Sequence, residues 1–436
     1  MAQTAGASLG VGLLGLGVVG RAVYDALERS VDLYQARAGR RLQVRAAAVR
    51  DLARRSDLAA AGLTLSDDPL AVARRDDVEV VVELIGGESP AAECIEAALS
   101  AGKSVVTANK EVMAKHGPRL LALAERSGVA LRYEASVGGG IPIIGVLQSE
   151  LQANQIESVR AIINGTTNYM ITEMSTGGVS YDDALADAQR LGYAESDPTN
   201  DVDGIDAAYK LAILASLAFR ARVAPDDVHC EGIRALTARD FEHARALGYV
   251  IRMLATARRT RRGLDLRVHP TLIPQEDPMA RVDGVLNAVA VTGDLLGSVV
   301  LEGPGAGAGA TASAVVADIL DVARTSGQTV QPTASAPLES GPRLAPLSEL
   351  CLRSYLRLEV PDRAGVLAEL GRAFAAESVS IASVLQSPHP ERELSADLII
   401  TTHASEDGAM DHVLAALEQS ESVLEIGVRL RIEDDA

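Results

Sequence analysis

The fold is decided near the N-terminus by the stretch Gly15-Leu16-Gly17-Val18-Val19-Gly20, which follows a β-rich run at 10–14 and opens a helical pattern at 19–29. Glycines at these spacings let backbone N–H groups approach a pyrophosphate at the positive end of the helix. The same pattern also occurs in tight turns that bind no ligand. Its position between a strand and a helix predicts a dinucleotide site that includes Gly15, Gly17, Val18, Val19 and Gly20.

Short β-rich runs continue to alternate with helical patterns up to residue 133. We predict strands at 10–14, 42–49, 78–84, 104–107 and 129–133, and helices at 19–29, 90–101 and 111–127. Strands that alternate with helices favour an α/β fold with a Rossmann-like, doubly wound parallel sheet. We therefore assign residues 1–135 to an NAD(P)-binding domain.

The end of the second predicted strand carries information about the cofactor. There Arg50 and Asp51 follow Val49 directly, with Arg54 and Arg55 close behind. A carboxylate at this point binds the ribose 2′-OH of NAD, whereas an arginine suits the 2′-phosphate of NADP. The arginines favour NADP, with its 2′-phosphate bound by Arg50. The alternative is NAD, with its ribose bound by Asp51.

The rest of the chain predicts two further domains and a linker. Two antiparallel hairpins, at 250–271 and 285–301, indicate an α+β domain over 136–327. Residues 328–348 contain four prolines and form a linker. Over 349–436 the predicted order of elements is βαββαβ, a ferredoxin-like unit.

A cluster of acids precedes one of the four lysines of the chain. Five carboxylates, counting Glu195, precede Lys210 within residues 195–210, and Asp206 stands four residues before Lys210 on a predicted helix with apolar residues on almost every face. Asp206 and Lys210 therefore share a ridge that points to the interior or to a cleft floor, where perturbed ionisation is expected. The alternative is a surface ion pair, which contributes about 0.3–0.5 kcal/mol.

Composition limits the possible partners and location. The formal charge of −18 opposes binding to nucleic acid or to anionic membranes, and no basic stripe with interleaved aromatic residues occurs. No run of 18 apolar residues predicts a membrane span. The three cysteines are too scattered for a disulfide framework, which favours a reducing compartment, and we expect a cytoplasmic protein.

Several segments in order resemble one family, the homoserine dehydrogenases. They are Gly-Leu-Gly-Val-Val-Gly at 15–20, Glu-Leu-Ile-Gly-Gly at 83–87, Val-Thr-Ala-Asn-Lys at 106–110, Tyr-Glu-Ala-Ser-Val-Gly-Gly-Gly-Ile-Pro at 133–142, Asn-Gly-Thr-Thr-Asn-Tyr at 164–169, the acidic block at 195–210, and Gly-Pro-Gly-Ala-Gly at 303–307. The resemblance covers essentially the whole chain. It implies reversible, NAD(P)-linked reduction of L-aspartate 4-semialdehyde to L-homoserine, a step in threonine and methionine biosynthesis.

The resemblance also implies roles for individual residues. Lys210 matches the family's proton donor and acceptor, and Asp206 an acid of the substrate site. Glu195 is similar to the carboxylate that receives the substrate ammonium group, and Asp201 to a second substrate-binding acid. Lys110 resembles a lysine between nicotinamide and substrate, although a solvated lysine at a helix start would give the same pattern. Lastly, Gly192 and Gly307 match backbone positions that line the cofactor site.

A monovalent cation is a further implication of the resemblance. Glu134, Val137, Gly139 and Ile141 match a loop that binds such an ion, Na⁺ for example, largely through carbonyl oxygens. Oxygen ligands suit a hard cation. Without the resemblance, the residues themselves predict only a glycine-rich turn.

The C-terminal unit resembles an ACT domain, and Pro361-Asp362-Arg363-Ala364-Gly365-Val366-Leu367 matches its first strand-to-helix turn. The resemblance implies a homodimer or homotetramer and regulation by L-threonine, with a purely assembling role as the alternative.

Two other functions compete with the dehydrogenase. Another dehydrogenase of the aspartate pathway would use a cysteine nucleophile, but no cysteine here has a histidine partner in a comparable motif. A non-catalytic sensor of nucleotides and amino acids would not require Lys210.

Overall fold

The structure, a computed structural model, describes residues 8–60, 62–325, 343–388, 392 and 394–433. These residues form two compact units. The first contains the described residues of 1–156, 209–225 and 292–342, and the second those of 157–208, 226–291 and 343–436. No helix in the described part of the chain is both long and apolar enough to cross a membrane.

The first unit opens with alternating strands and helices. Its strands are β1 (Leu9–Leu14), β2 (Leu42–Ala48), β3 (Thr64–Ser66), β4 (Val80–Glu83), β5 (Ser104–Thr107) and β6 (Leu131–Arg132). Its helices up to this point are α1 (Val18–Arg29), α2 (Val31–Ala38), α3 (Ser56–Ala60), α4 (Pro69–Arg74), α5 (Ala91–Ser100) and α6 (Lys110–Ser127), and a short α7 (Ile143–Gly145) follows.

The six strands form one parallel sheet in the order β3-β2-β1-β4-β5-β6, which confirms the predicted Rossmann-like fold. Strand β6 is shorter than the predicted strand at 129–133. The carboxyl ends of β1, β2 and β4 meet at one edge of this sheet, where such folds bind their ligands.

A helix from much later in the chain completes the core of this unit. Helix α13 (Ala308–Thr325) follows strand β12 (Gly297–Pro304), and its residues Val315 and Ile319 pack in the same cluster as Val23 of α1 and Val82 of β4. The predicted boundaries assign α13 to the second domain. Its packing joins it to the nucleotide-binding sheet.

Most of the elements between α7 and β12 belong to the second unit. They are β7 (Ile156–Ile162), α8 (Gly165–Gly177), α9 (Tyr181–Arg190), α10 (Thr199–Val202), α11 (Ile205–Phe219), β8 (His229–Cys230), α12 (Ala238–Ala246), β9 (Tyr249–Thr260), β10 (Gly263–Pro274) and β11 (Leu286–Gly293). Strands β9 and β10 pair antiparallel along their whole length across the arginine-rich turn, as predicted.

The C-terminal elements follow the predicted βαββαβ order. They are β13 (Cys351–Pro361), α14 (Val366–Ala376), β14 (Ile381–Pro388), β15 (Ser395–Thr402), a two-residue β16 (Ser405–Glu406), α15 (Asp407–Glu418) and β17 (Glu425–Ile432). In the sheet the order is β17-β13-β15-β14. Of the predicted linker, residues 328–342 lie outside the described residues.

The C-terminal elements share a sheet with the middle of the chain. Strand β17 pairs parallel with β10 at Thr271 and Leu272, so that one sheet runs in the order β11-β7-β9-β10-β17-β13-β15-β14. Buried ion pairs reinforce this junction: Arg267 of β10 lies 3.1 Å from Glu433, and Arg357 of β13 lies 2.7 Å from Asp240 of α12. Strand pairing and buried ion pairs therefore join β13–β17 to the middle of the chain, in addition to the linker.

Candidate functional site

The glycine motif at 15–20 forms the turn between β1 and α1, and two of its glycines are required by packing. A Cβ at Gly15, whose φ is +102°, would lie 2.8 Å from the carbonyl oxygen of Leu84, and a Cβ at Gly20 would lie 2.0 Å from that of Gly15. A Cβ at Gly17 would meet no described atom within 4 Å. Gly17 therefore leaves open space at the start of α1, as a pyrophosphate bound there requires.

A cavity of about 570 Å³ lies in front of this turn. Its walls come from the carboxyl ends of β1, β2 and β4 and bring together Gly15, Gly17 and Arg50 of the predicted site. Val18 and Val19 are the first two residues of α1 beside it, and Val18 is 76% exposed. The position, size and glycine lining of this cavity fit a dinucleotide.

The arginines that follow β2 differ in the ion pairs and hydrogen bonds that they form. Arg54 lies 3.2 Å from the carboxylate of Asp51, and Arg55 donates to the carbonyl of Leu16 at 2.7 Å. The Asp51 carboxylate also accepts the N–H of Ala53 at 3.0 Å, so it acts as a local cap. Arg50 lines the same cavity and is exposed.

Lys110 is placed by a buried polar network that the sequence does not reveal. Glu83, at the end of β4, is fully buried, and its carboxylate accepts the Thr107 hydroxyl at 2.6 Å and the N–H of Ile85 at 2.7 Å. The Thr107 hydroxyl oxygen accepts the N–H of Asn109, and Asn109 donates to the carbonyl of Gly87 at 2.7 Å while capping α6. Lys110 is consequently fixed as the first residue of α6.

The loop at 134–141 is held from two sides. The Glu134 carboxylate accepts the N–H groups of Ile144 at 2.8 Å and Gly145 at 2.7 Å, and the Glu134 N–H donates to Asp318 at 3.0 Å. Burial raises the pKa of Glu134 and raises that of Asp318 to about 7. These bonds fix the Glu134 side chain at the N-terminus of α7 and its backbone beside α13.

The same loop approaches the segment at 303–307 closely. A Cβ at Gly139 would lie 2.5 Å from the carbonyl oxygen of Gly305. Among the described residues, no hydrogen bond reaches the carbonyl oxygens of Val137 and Gly139, whereas that of Ile141 accepts the N–H of Ile143 at 2.8 Å. Carbonyl oxygens without N–H donors in a buried loop fit a hard cation.

In the second unit the structure brings Asp201 and Asp206 to one side chain, that of Asn164. The amide nitrogen of Asn164 donates to Asp201 at 2.7 Å and to Asp206 at 2.9 Å, and Asp206 is only 4% exposed. Asp206 lies in the first turn of α11, and Lys210 follows four residues later on the same helix. The buried surroundings of Asp206 agree with the predicted ridge and not with a surface ion pair.

Glu195 and Gly192 belong to the loop between α9 and α10. Gly192 has a φ of +77°, and the adjoining Tyr193 carbonyl accepts the Thr166 hydroxyl at 2.7 Å. Gln189 of α9 donates to the Glu195 carbonyl at 3.0 Å, which anchors the backbone while the Glu195 side chain stays exposed. Gly307, in the first unit, has a φ of +107° and immediately precedes α13.

A second loop braces the acidic segment from the side of β8. The Ile233 N–H donates to the Val202 carbonyl at 2.9 Å, and Arg234 donates to Asp203 at 2.7 Å. The preceding Glu231 accepts a hydrogen bond from Arg431 of β17 at 2.7 Å. Although burial opposes its ionisation, His229 and Arg431 hold the pKa of Glu231 well below its ordinary value.

Sequence reasoning missed two residues of these networks, Glu83 and Asn164. Both belong to segments on which the family resemblance rests, but neither was given a role. Asn164 precedes a helix, where an asparagine is typical of an N-cap, and nothing in the pattern indicates its two distant acceptors.

Family comparisons extend over all three parts of the chain. The family model described as "Homoserine dehydrogenase, NAD binding domain" matches residues 15–134, and that described as "Homoserine dehydrogenase" matches residues 142–320. The model described as "ACT domain" matches residues 354–422.

Individual proteins give the same result. A homoserine dehydrogenase of Pseudomonas aeruginosa is 43% identical over 431 residues, which cover 97% of this chain and 98% of the relative. The crystal structure of a homoserine dehydrogenase from Thiobacillus denitrificans superposes with a TM-score of 0.91 at 42% identity, covering 98% of this chain and 99% of that one. A hyperthermophilic archaeal homoserine dehydrogenase in complex with NADPH superposes with a TM-score of 0.62 at 29% identity, over 72% of this chain and 98% of that one.

Proposed function

The chain belongs to the homoserine dehydrogenase family, whose members are oxidoreductases that act on a CH–OH group, and we propose which of its residues take part in this reaction. The observation that carries the proposal is the buried cluster around Asp206, because it stands one helical turn before Lys210 on α11. The substrates are L-aspartate 4-semialdehyde and L-homoserine.

Lys210 is the proton-transfer residue of this proposal. In the reductive direction its ammonium gives a proton to the oxygen of the semialdehyde carbonyl, and in the oxidative direction its amine accepts the proton of the homoserine hydroxyl. Such acid–base help contributes about 10²–10⁴ in rate. Asp206 orients Lys210 or a water between them. The chemistry that a nicotinamide cofactor supplies when bound is hydride transfer.

Three other residues hold the substrate. Glu195 carries an exposed carboxylate on a loop whose backbone is anchored, and it receives the substrate ammonium group through a charge-assisted hydrogen bond. Asp201, held by Asn164, is the second acid of the substrate site. Lys110, the first residue of α6, would contact both the nicotinamide and the substrate.

We further propose that the cofactor is NADP. Gly15, Gly17, Val18, Val19 and Gly20 hold the pyrophosphate, and Gly192 and Gly307 line the cofactor site with their backbones. Arg50 binds the 2′-phosphate. The engagement of Asp51 as a local cap supports this preference, because its carboxylate is already bound to the Ala53 N–H and to Arg54.

A monovalent cation such as Na⁺ is proposed at the loop that contains Glu134, Val137, Gly139 and Ile141. The carbonyl oxygens of Val137 and Gly139 support it, since no N–H donor among the described residues reaches them. The ion would fix the loop against the Gly305 backbone.

Regulation and assembly complete the proposal. We infer that L-threonine acts through the ACT domain and that the protein is a homodimer or homotetramer. We also retain the division into a nucleotide domain (1–135), a catalytic and dimerisation domain (136–327), a linker (328–348) and an ACT domain (349–436).

The test is a comparison of variants in steady-state assays with homoserine and each nicotinamide cofactor. Lys210→Ala should lower kcat at least about a hundredfold with cofactor binding near normal, and Lys210→Arg should not restore it because arginine holds its proton too tightly. Glu195→Gln should raise KM for homoserine far more than KM for the cofactor.

Lys103→Ala is the matched control. The Lys103 ammonium binds the carbonyl of Arg75, outside every proposed site, so this variant should keep its turnover. Wild-type turnover in Lys210→Ala would eliminate Lys210 as the proton-transfer residue, and equal changes in both KM values would make Glu195 structural.

A further inference from the structure

Asn164 uses every hydrogen-bonding position of its side chain. Its amide oxygen accepts the N–H of Thr167 at 2.9 Å and the Thr167 hydroxyl at 3.1 Å, which caps α8. Its amide nitrogen donates to Asp201 at 2.7 Å and to Asp206 at 2.9 Å. The side chain is 6% exposed, so water does not replace these bonds readily.

An amide side chain of the length of asparagine can both cap α8 and donate to the two carboxylates. The oxygen must face the N-terminus of α8, because a nitrogen there would oppose the Thr167 N–H. The nitrogen must then face the two carboxylates, since oxygen in its place would have no proton to donate. Aspartate would keep the cap and lose the donor, serine would cap without reaching both acids, and glutamine would add a methylene.

We propose that Asn164 is a positioning residue of the dehydrogenase reaction, which fixes the orientation of Asp201 and Asp206 together by donating to both carboxylates. This inference rests on the roles proposed above for Asp201, Asp206 and Lys210. One donor group thus links the substrate-binding acid to the acid that precedes Lys210.

Other charged groups lie on the neighbouring segments. Arg234 and Asp203 form an ion pair of 2.7 Å on the braced segment, and Tyr181 of α9 interacts electrostatically with both. Glu195 lies on the loop before α10, and Lys210 lies one turn along α11. Asn164 is a neutral donor that is bonded directly to both acids.

The experiment measures pH profiles of kcat/KM for homoserine in two cap-preserving variants. Asn164→Asp replaces the shared donor by a third acid, so carboxyl groups there hold their protons to higher pH, and the acid limb should move up by about one pH unit. Its kcat/KM at neutral pH should fall at least about tenfold, as expected for a lost hydrogen bond to a charged group. Asn164→Ser should lower kcat/KM with a smaller shift of the limb.

Asn168 supplies the matched control. It is a buried asparagine of the same helix, but its amide donates only to the backbone carbonyls of Val282, Gly284 and Leu286. Asn168→Ala should lower the melting temperature without moving the acid limb. Affinity for NADP should stay within about twofold of wild type in both Asn164 variants, because serine and aspartate also serve as N-caps and keep α8 in place.

Asp206→Asn, measured alongside, separates the possible failures. If Asp206→Asn loses activity while Asn164→Asp gives a profile that overlays the wild type, the inference about Asn164 is wrong and the proposed site stands. If Asp206→Asn itself retains wild-type activity, the proposed site falls and the inference falls with it. A shifted acid limb in Asn164→Asp but not in Asn168→Ala supports the inference.

Discussion

One arginine at the end of β2 tests how the nucleotide cavity selects its cofactor. In Arg50→Ala the affinity for NADP should fall, while that for NAD should stay near the wild-type value, because only NADP carries the 2′-phosphate. A hydrogen bond to a charged group contributes about 1.5–3 kcal/mol, which corresponds to roughly 10- to 150-fold in Kd.

The surroundings of Arg50 narrow this range. Arg50 is exposed, so water weakens its interaction with a phosphate, and we expect a loss of roughly 10- to 30-fold. Its neighbours contribute less, since Arg54 lies 3.2 Å from Asp51 and Arg55 is bonded to the Leu16 carbonyl at 2.7 Å.

Calorimetric titration of each variant with NADP and with NAD, at one salt concentration, provides the measurement. Arg54→Ala is the control, because its guanidinium is 85% exposed and ion-paired, and its loss should change either Kd less than about fivefold. If Arg50→Ala weakens the binding of both cofactors alike, Arg50 does not bind the 2′-phosphate. The alternative, in which Asp51 binds the ribose, would then be favoured.

Two further predictions concern stability. Asp240→Asn should lower the free energy of unfolding in urea by about 3–5 kcal/mol because it leaves the buried Arg357 without its carboxylate, whereas Asp187→Asn at an exposed pair should cost at most about 1 kcal/mol. Equal losses would contradict this contrast. Burial raises the pKa of Asp318 to about 7, so the folded state keeps a proton that the unfolded state releases near its ordinary value of 3.8, and stability falls as pH rises through that window. In thermal melts the stability of Asp318→Asn relative to the wild type should therefore rise between about pH 4 and pH 7, and a difference unchanged with pH would count against the buried acid.

The parts of the fold that the sequence predicts are those encoded by local patterns. The glycine motif and the alternation of strands and helices give the parallel sheet, and two β-rich runs on either side of the arginine-rich turn give the β9–β10 hairpin. The packing of α13 on the first sheet was not predicted, because an apolar helical face does not indicate which sheet it covers. The pairing of β17 with β10 depends on an edge that only the folded sheet creates.

In the candidate site, too, some residues can be predicted from local patterns and others cannot. Gly17, Arg50 and Lys210 stand in motifs whose chemistry can be read from residue type and spacing. The contribution of Asn164 cannot be read in this way, because its acceptors Asp201 and Asp206 come from later elements and its pattern also fits an ordinary helix cap.

The regulation that we propose for the C-terminal domain would require a physical connection to the proposed substrate site, and short contacts in the second unit link the two segments. Arg431 of β17 binds both Glu231, at 2.7 Å, and Asp407 of α15, at 3.0 Å. Two residues after Glu231, the loop bonds to the carbonyl of Val202, within the segment that carries Asp201. Because each of these contacts is short and Arg431 is buried, we expect a displacement of β17 or α15 to alter the support of that acidic segment. The same contacts argue against treating the C-terminal domain as a detachable module, since its removal would leave Asp240 buried without Arg357 and would take Glu433 from Arg267, which would keep only Asp265.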